Sequence, residues 1–234
     1  MKKVIKGLGL AACAIMPSIG NACTDMCWSY EAVMAKRFQG DMRVTDTRLN
    51  NTAYASATVS SPNSVEFMIR AARDLSTIKN NVTISAGGEL GYSTTVTPRY
   101  QVTGPNASIV THIHTSSIAG TFKALKAFGG DDDVKAGALI GLGIDLPIVK
   151  NDYSATTFGT TRSHVTAQPF VKLVMDVLKP ITTTKMAIGA EVSVKQVLSS
   201  NAMEGTKSTN TSMDQMTTHL PKTTLSLGVK LTAL

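Results

Sequence analysis

The sequence predicts an all-β fold: a closed antiparallel up-and-down barrel of about eight strands that spans a membrane, behind a short N-terminal lead-in. Three observations predict it. Between Val134 and Val149 every even position is apolar (Val134, Ala136, Ala138, Ile140, Leu142, Ile144, Leu146, Ile148), whereas the odd positions are mostly small or polar: Lys135, Gly137, Leu139, Gly141, Gly143, Asp145, Pro147 and Val149. Successive side chains of a strand point to opposite faces, so this segment has one oily face and one narrow, polar face, over more than the usual length of a soluble strand. The same two-faced pattern recurs along the chain, and the first residues carry the marks of an export leader.

Met1 to Lys6 holds three lysines and no acid, Gly7 to Met16 is a short apolar run, and Pro17 to Ala22 ends in small residues suited to signal peptidase. This is the three-part pattern of a cleaved secretory signal, assigned to residues 1–22, and its apolar run is too short for a spanning helix. Losing three leader lysines lowers the formal net charge from +7 to +4, and the remaining bases are scattered. A nucleic-acid groove needs a denser cluster.

Residues 23–50 form the expected lead-in. Glu31 to Phe38 has helix-friendly composition and reads as a short helix or irregular segment. Cys23 and Cys27 could close a small disulfide in an oxidising compartment. Lipid attachment is the rival reading, because Leu10-Ala11-Ala12-Cys13 resembles a lipoprotein cleavage box, although Gly20-Asn21-Ala22-Cys23 lacks the aliphatic residue upstream.

The barrel is expected over 51–234. Asn51 to Ser60 is taken as its first strand, with Ala53, Ala55, Ala57 and Val59 on one face. Val65 to Ala71, Val82 to Tyr92, Val165 to Val177, Met186 to Val194 and Leu225 to Ala233 repeat the alternation of 134–149. Ala107 to Phe128 adds one strand of unclear phase, with a shift expected near Ser116-Ser117 or Gly120 through a bulge. Pro147 and Pro169 each remove a donor and mark strand ends or bulges. Gly129 to Asp133 and Leu178 to Thr184 read as short turns, while Thr94 to Asn106, Lys150 to Arg162 and Ser199 to Pro221 are longer and polar. Long and short connections therefore alternate, except at the brief first hairpin, Ser61-Pro62-Asn63.

The leader, the eight amphipathic strands and the strand that ends the chain resemble the small outer-membrane barrels of the OmpA-type transmembrane and opacity-protein superfamily, over roughly residues 51 to 234. Such barrels have short periplasmic turns and longer exterior loops. The resemblance implies export to the outer membrane of a Gram-negative bacterium. Members usually end in Phe within an aromatic girdle. This chain ends in Leu234, is 5% aromatic, and offers Phe67, Tyr92 and Phe128 near strand ends.

The strand phases place Glu66, Glu89, Asp145, Asp176 and Glu191 in the lumen with Arg70, Lys135, Lys172, Lys185, Lys195 and Lys230. The bore of an eight-stranded barrel is filled by side chains, and charges there must pair. A plug of ion pairs holding the barrel shut follows more naturally than a pore. His112 and His114 share one strand face but lack a third metal ligand. Asp131-Asp132-Asp133 lacks the spaced oxygens of a calcium loop, and Gly137 to Gly143 lacks the spacing of a phosphate loop.

No catalytic residue, metal or cofactor is therefore assigned. The expected function is a structural or surface-exposed barrel whose exterior loops, chiefly 150–162 and 199–221, are available for adhesion or host contact. Its expected partners are outer-membrane lipid, the barrel-assembly machinery and ligands on host or neighbouring cells. One alternative is a channel for small solutes or hydrophobic compounds; another is a secreted soluble barrel or sandwich binding protein, with the oily faces turned inward. A barrel enzyme acting on lipid or peptide would need Ser, His and acid side chains clustered at one rim.

Overall fold

The computed structural model describes residues 28–47, 53–59, 63–78, 81–101, 108–129, 133–153, 160–163, 166–181, 184–199, 202–208 and 213–233. All of its regular elements are strands: β1 (Trp28–Gln39), β2 (Met42–Thr47), β3 (Ala53–Val59), β4 (Asn63–Ile78), β5 (Val82–Val96), β6 (Tyr100–Gln101), β7 (Ser108–Ala127), β8 (Lys135–Tyr153), β9 (Thr160–Ser163), β10 (Gln168–Ile181), β11 (Met186–Val197), β12 (Ala202–Ser208), β13 (Met213–His219) and β14 (Thr223–Ala233). Eight of them close a ring in the order β1-β4-β5-β7-β8-β10-β11-β14, and β14 pairs back to β1. Every pairing in the ring is antiparallel.

The register fixes the shape. Following cross-strand partners from Ala138 through Met175, Val192, Leu227, Lys36, Val65, Thr94 and His114 returns to β8 at Ile148, ten residues further along. With a rise of about 3.3 Å per residue and about 4.8 Å between strands, that displacement tilts the strands by about 40° from the barrel axis. On the same geometry the outward apolar side chains fill a belt about 25 Å tall, the height of a bilayer core crossed by such a barrel. Ile140 and Leu142 are 44% and 63% exposed on this belt, whereas Leu139 and Val149 on the opposite face of β8 are 5% and 0% exposed. Leu173, Met175, Val177, Ile188, Leu227 and Val229 also face outward. The reading as a soluble barrel or sandwich, with its oily faces inward, is thereby overturned: water would meet the apolar belt, and the buried face would be the charged one.

The long connections sit at one end and the short ones at the other. Residues 79–81, 128–134 and 182–185 join strands at the turn end, where Asn81 takes the left-handed conformation with φ 57°. At the loop end, β9 pairs with the end of β8, β12 with β9, β13 with β2, and β2 with β3, so the connections zip together into a collar. Met42, Val44 and Val59 of this collar pack with Ile113, Val149 and Leu220 into an apolar cap.

Four expectations need correction. Residues 31–38 are no helix: they lie in β1, the first strand of the ring, so among the described residues the barrel begins at Trp28 and 28–39 belong to its wall. Residues 53–59 form β3, which pairs with β2 in the collar and is not a ring strand. The total of eight stands because β1 takes that place, and the first connection then runs over 40–62, which removes the exception to the alternation of long and short. Finally, β7 keeps one register with both neighbours, without the bulge expected near Ser116 or Gly120; a register shift lies instead in β4, between Asp74 and Ser76.

Pro169 is the second residue of β10, a strand end. Pro147 pairs with Thr115 of β7, and its other edge lies between the last β10 partner, at Asp145, and the first β9 partner, at Lys150, where no described strand is paired. Gly143 has no room for more: a Cβ there would strike the Ile118 carbonyl and the Phe170 ring.

Charge on the outer wall separates a membrane from water. Ile140→Arg, at mid-belt, is expected to lower the unfolding free energy in lipid vesicles by about 2–4 kcal/mol, and Val96→Arg, above the belt on β5, by about 0–1 kcal/mol. Urea titration of the vesicle-inserted protein checks this; equal, negligible costs at both sites would contradict a lipid-facing wall.

Candidate functional site

The lumen is the most elaborate site in the described residues. It buries six acids (Glu31, Glu66, Glu89, Asp145, Asp176, Glu191) and six bases (Arg37, Arg70, Lys123, Lys172, Lys195, Lys230), so its formal charges cancel. Carrying the register round the ring places most of them near the middle of the apolar belt. The strands deliver them by parity, since each side chain is two residues from another lumen position.

Arg70 on β4 is the hub. Its Nε donates to Glu89 Oε2 at 2.6 Å, and Nη1 and Nη2 grip Glu191 at 2.6 and 2.9 Å. Nη1 also reaches Glu31 Oε2 at 3.2 Å. This fork geometry suits a guanidinium, which presents five donors in one plane. Glu31 on β1 in turn accepts from Lys123 at 2.5 Å and Lys230 at 3.1 Å, and both lysines also contact Asp176, Lys123 at 3.1 Å. Lys172 bridges to Glu89 at 3.0 Å and to the Met68 sulfur. Gly137 lies against the Asp176 carboxylate, where a Cβ would collide.

A second tier sits towards the loops. Lys195 lies 2.9 Å from Asp145 and 3.9 Å from Glu66, with its Nζ 4.7 Å from the centre of the Phe170 ring. Arg37 donates to the Ser93 and Thr224 hydroxyls. Above these groups a cavity of about 30 Å³ touches Arg37, Asp145, Lys195 and Leu220, and the apolar cap lies beyond it. At the turn end Leu178 and Ala187 are buried.

Nine of the eleven expected lumen residues are brought together: Glu66, Arg70, Glu89, Asp145, Lys172, Asp176, Glu191, Lys195 and Lys230. Two are not. Lys185 is exposed in the turn before β11, and Lys135 is half-buried at the start of β8, outside the ion-pair cluster. Three members were missed: Glu31, Arg37 and Lys123. The parity signal was present, since Glu31, Val33, Ala35 and Arg37 alternate with Tyr30, Ala32, Met34, Lys36 and Phe38. Lys36 interrupts the oily face and hid it.

The remaining expected features lie elsewhere or outside the described residues. Cys23, Cys27 and the leader fall outside them. Asp133 is exposed in its turn, while Asp131 and Asp132 are not described. His112 and His114 face outward on β7 with separate partners: His112 Nε2 lies 3.5 Å from Asp152, and His114 Nδ1 lies 2.8 Å from the Tyr92 hydroxyl, with the rings stacked. Among the described residues no three or more His, Cys, Asp or Glu side chains gather where they could hold a metal ion. What the lumen can do chemically is hold charge against charge in a medium of low dielectric.

Removing one partner of a buried pair strands the others. Arg70→Met leaves three carboxylates without their guanidinium and is expected to lower the unfolding free energy by about 3–5 kcal/mol. Lys185→Met, outside the cluster, is expected to change it by no more than about 0.5 kcal/mol. Urea midpoints of the two variants, compared with the parent in the same vesicles, decide the matter; parity between them would count against an ion-paired core.

No family model and no curated protein matches the sequence. Among solved structures, the fold is similar to that of the outer membrane protease OmpT from Escherichia coli, at 9% identity over 92% of this chain and 100% of that one, with a TM-score of 0.50. It is also similar to the outer membrane protein OprG from Pseudomonas aeruginosa, at 8% identity over 88% and 94% of the two chains, with a TM-score of 0.52. At these identities the likeness carries the fold and no activity. With its ring of eight antiparallel strands and its apolar belt, the chain is a small β-barrel of the outer-membrane type, built to sit in that membrane.

Proposed function

We propose that this protein is a closed, non-catalytic barrel that anchors a display surface, its loop collar, at the outside of the cell. The observation that carries this reading is the filled lumen: six acids and six bases at its middle and an apolar cap at its loop end. The cavity between them, about 30 Å³, has room for about two or three waters, each of which needs about 10–15 Å³. A hydrated ion or small solute would have to break several buried pairs to pass, each at a cost of kcal/mol.

On this reading the ion pairs are structural, and the nine expected members together with Glu31, Arg37 and Lys123 hold the eight strands in register from inside. The collar ties the loops together through β2, β3, β9, β12 and β13, which gives a stiff surface for adhesion or host contact. Export behind a cleaved leader of 22 residues and insertion by the barrel-assembly machinery complete the proposal.

Planar-bilayer recording tests it against a channel. The reconstituted protein is expected to give no unitary current; steady, reproducible conductance steps from the heat-modifiable folded form would overturn the closed reading.

A further inference from the structure

The outer wall carries charge where the apolar belt ends: cations without a wall acid at the turn end, and Asp152 paired with Lys150 at the loop end. Arg73 on β4, Lys126 on β7 and Lys179 on β10 all point outward and are exposed. These strands are every second one round this part of the ring, with β5 and β8 between them. Carrying the register round the ring at about 40° of tilt puts the three cations within about 4 Å of a single height, at the turn-side edge of the belt. None of them makes an ion pair among the described residues, and Lys126 rests over the Phe128 ring at 5.2 Å. Exposed Lys185 lies in the turn at the same end.

Acids do not balance them from the wall. Of the described acids at this end, Asp74 accepts a hydrogen bond from Ser85, a buried lumen residue, and Asp133 belongs to the 128–134 turn. The outward acid among the described wall residues is Asp152, at the loop end beside Lys150 and His112. Trp28 and Tyr30 stack at the turn-side edge with ring centres 6.4 Å apart, and Trp28 lies opposite Arg73 in the register. Amphipathic rings settle at the headgroup level of a membrane, so they mark the same plane independently.

We infer that this turn-side rim is a binding surface for anionic phospholipid headgroups, with Arg73, Lys126 and Lys179 each meeting a lipid phosphate of the leaflet that surrounds the turns. The chemistry is that of basic side chains spread over half the ring at a membrane surface, where each cation attracts anionic lipid and salt weakens the attraction. The side chains leave the barrel sideways at the belt edge, the direction of headgroups, and not downward from the turns. The inference rests on the lipid-facing wall and is independent of whether the lumen conducts.

Trp28, the single tryptophan, reports from that rim. The protein refolded into phosphatidylcholine vesicles containing a minority of phosphatidylglycerol is read by Trp28 fluorescence, with either lipid brominated on its acyl chains as the quencher. Anionic lipid is expected to be enriched at Trp28 by about threefold or more over its bulk fraction at low salt. The enrichment should fall in Arg73→Gln, vanish in the variant that also carries Lys126→Gln and Lys179→Gln, and vanish for the parent in 1 M salt. Heat-modifiable mobility checks that each variant is folded, and the salt series needs no variant. Quenching by each lipid in proportion to its bulk fraction at low salt, or enrichment that survives the triple substitution or high salt, would overturn the inference.

Discussion

A ring of eight tilted strands leaves a bore that side chains must fill, and whatever is polar there must find its partner inside. This constraint governs the rest of the structure. Outside, lipid offers no hydrogen bonds, so the backbone has to be satisfied within the sheet, which only closure achieves. Closure in turn makes β1 and β14 neighbours and brings Glu31, near the start of the described chain, against Lys230, near its end. Glu31 reaches Arg70, Lys123 and Lys230, which lie on three other strands. The ion cluster therefore bonds the ring across its diameter as well as around its edge.

How much of this was legible follows from how strongly each strand shows its two faces. β8 spells out the barrel wall in sequence, because from 140 to 148 its outward residues are Ile and Leu and its inward residues are Gly, Asp and Pro. β10, β11 and β14 do the same, and nine lumen charges follow from their parity and that of β4, β5 and β8. β1 was hidden by one residue. Lys36 occupies an outward position and breaks the oily face, but its ammonium lies 5.5 Å from the Phe38 ring, towards the loop-side edge of the belt, so a long stem stays in the apolar layer while the charge reaches the interface. A pattern rule that forbids a lysine there misses both the strand and Glu31 and Arg37 behind it. Lys123 was lost in the same way to the small residues of β7, where Ser116, Ser117, Ala119 and Gly120 blur the difference between faces. Asn51 to Ser60 erred in the other direction: alternating alanines read as a wall, but β3 pairs with β2 as a short collar hairpin. Long-range pairing, which local alternation does not encode, decides between those two fates.

The two ends of the barrel differ in what they offer. The loop end invests in backbone pairing, with β8, β9, β12, β13, β2 and β3 joined edge to edge above the membrane. The turn end is spare, and what distinguishes it is charge and aromatic character at the belt edge. Sequence could place neither, because height along the barrel depends on the ten-residue stagger of the ring, and that number exists only once the strands have been paired.

The most direct measurement of the central claim is spin-label accessibility along β8, from residue 138 to residue 146, in the vesicle-inserted protein. Collisions with oxygen should peak at the even positions and fall at the odd ones, while a water-soluble nickel reagent should reach neither set. A profile in which the nickel reagent reaches the even positions, or in which the oxygen maxima fall on the odd positions, would contradict a barrel whose oily side meets lipid and whose charges are sealed within.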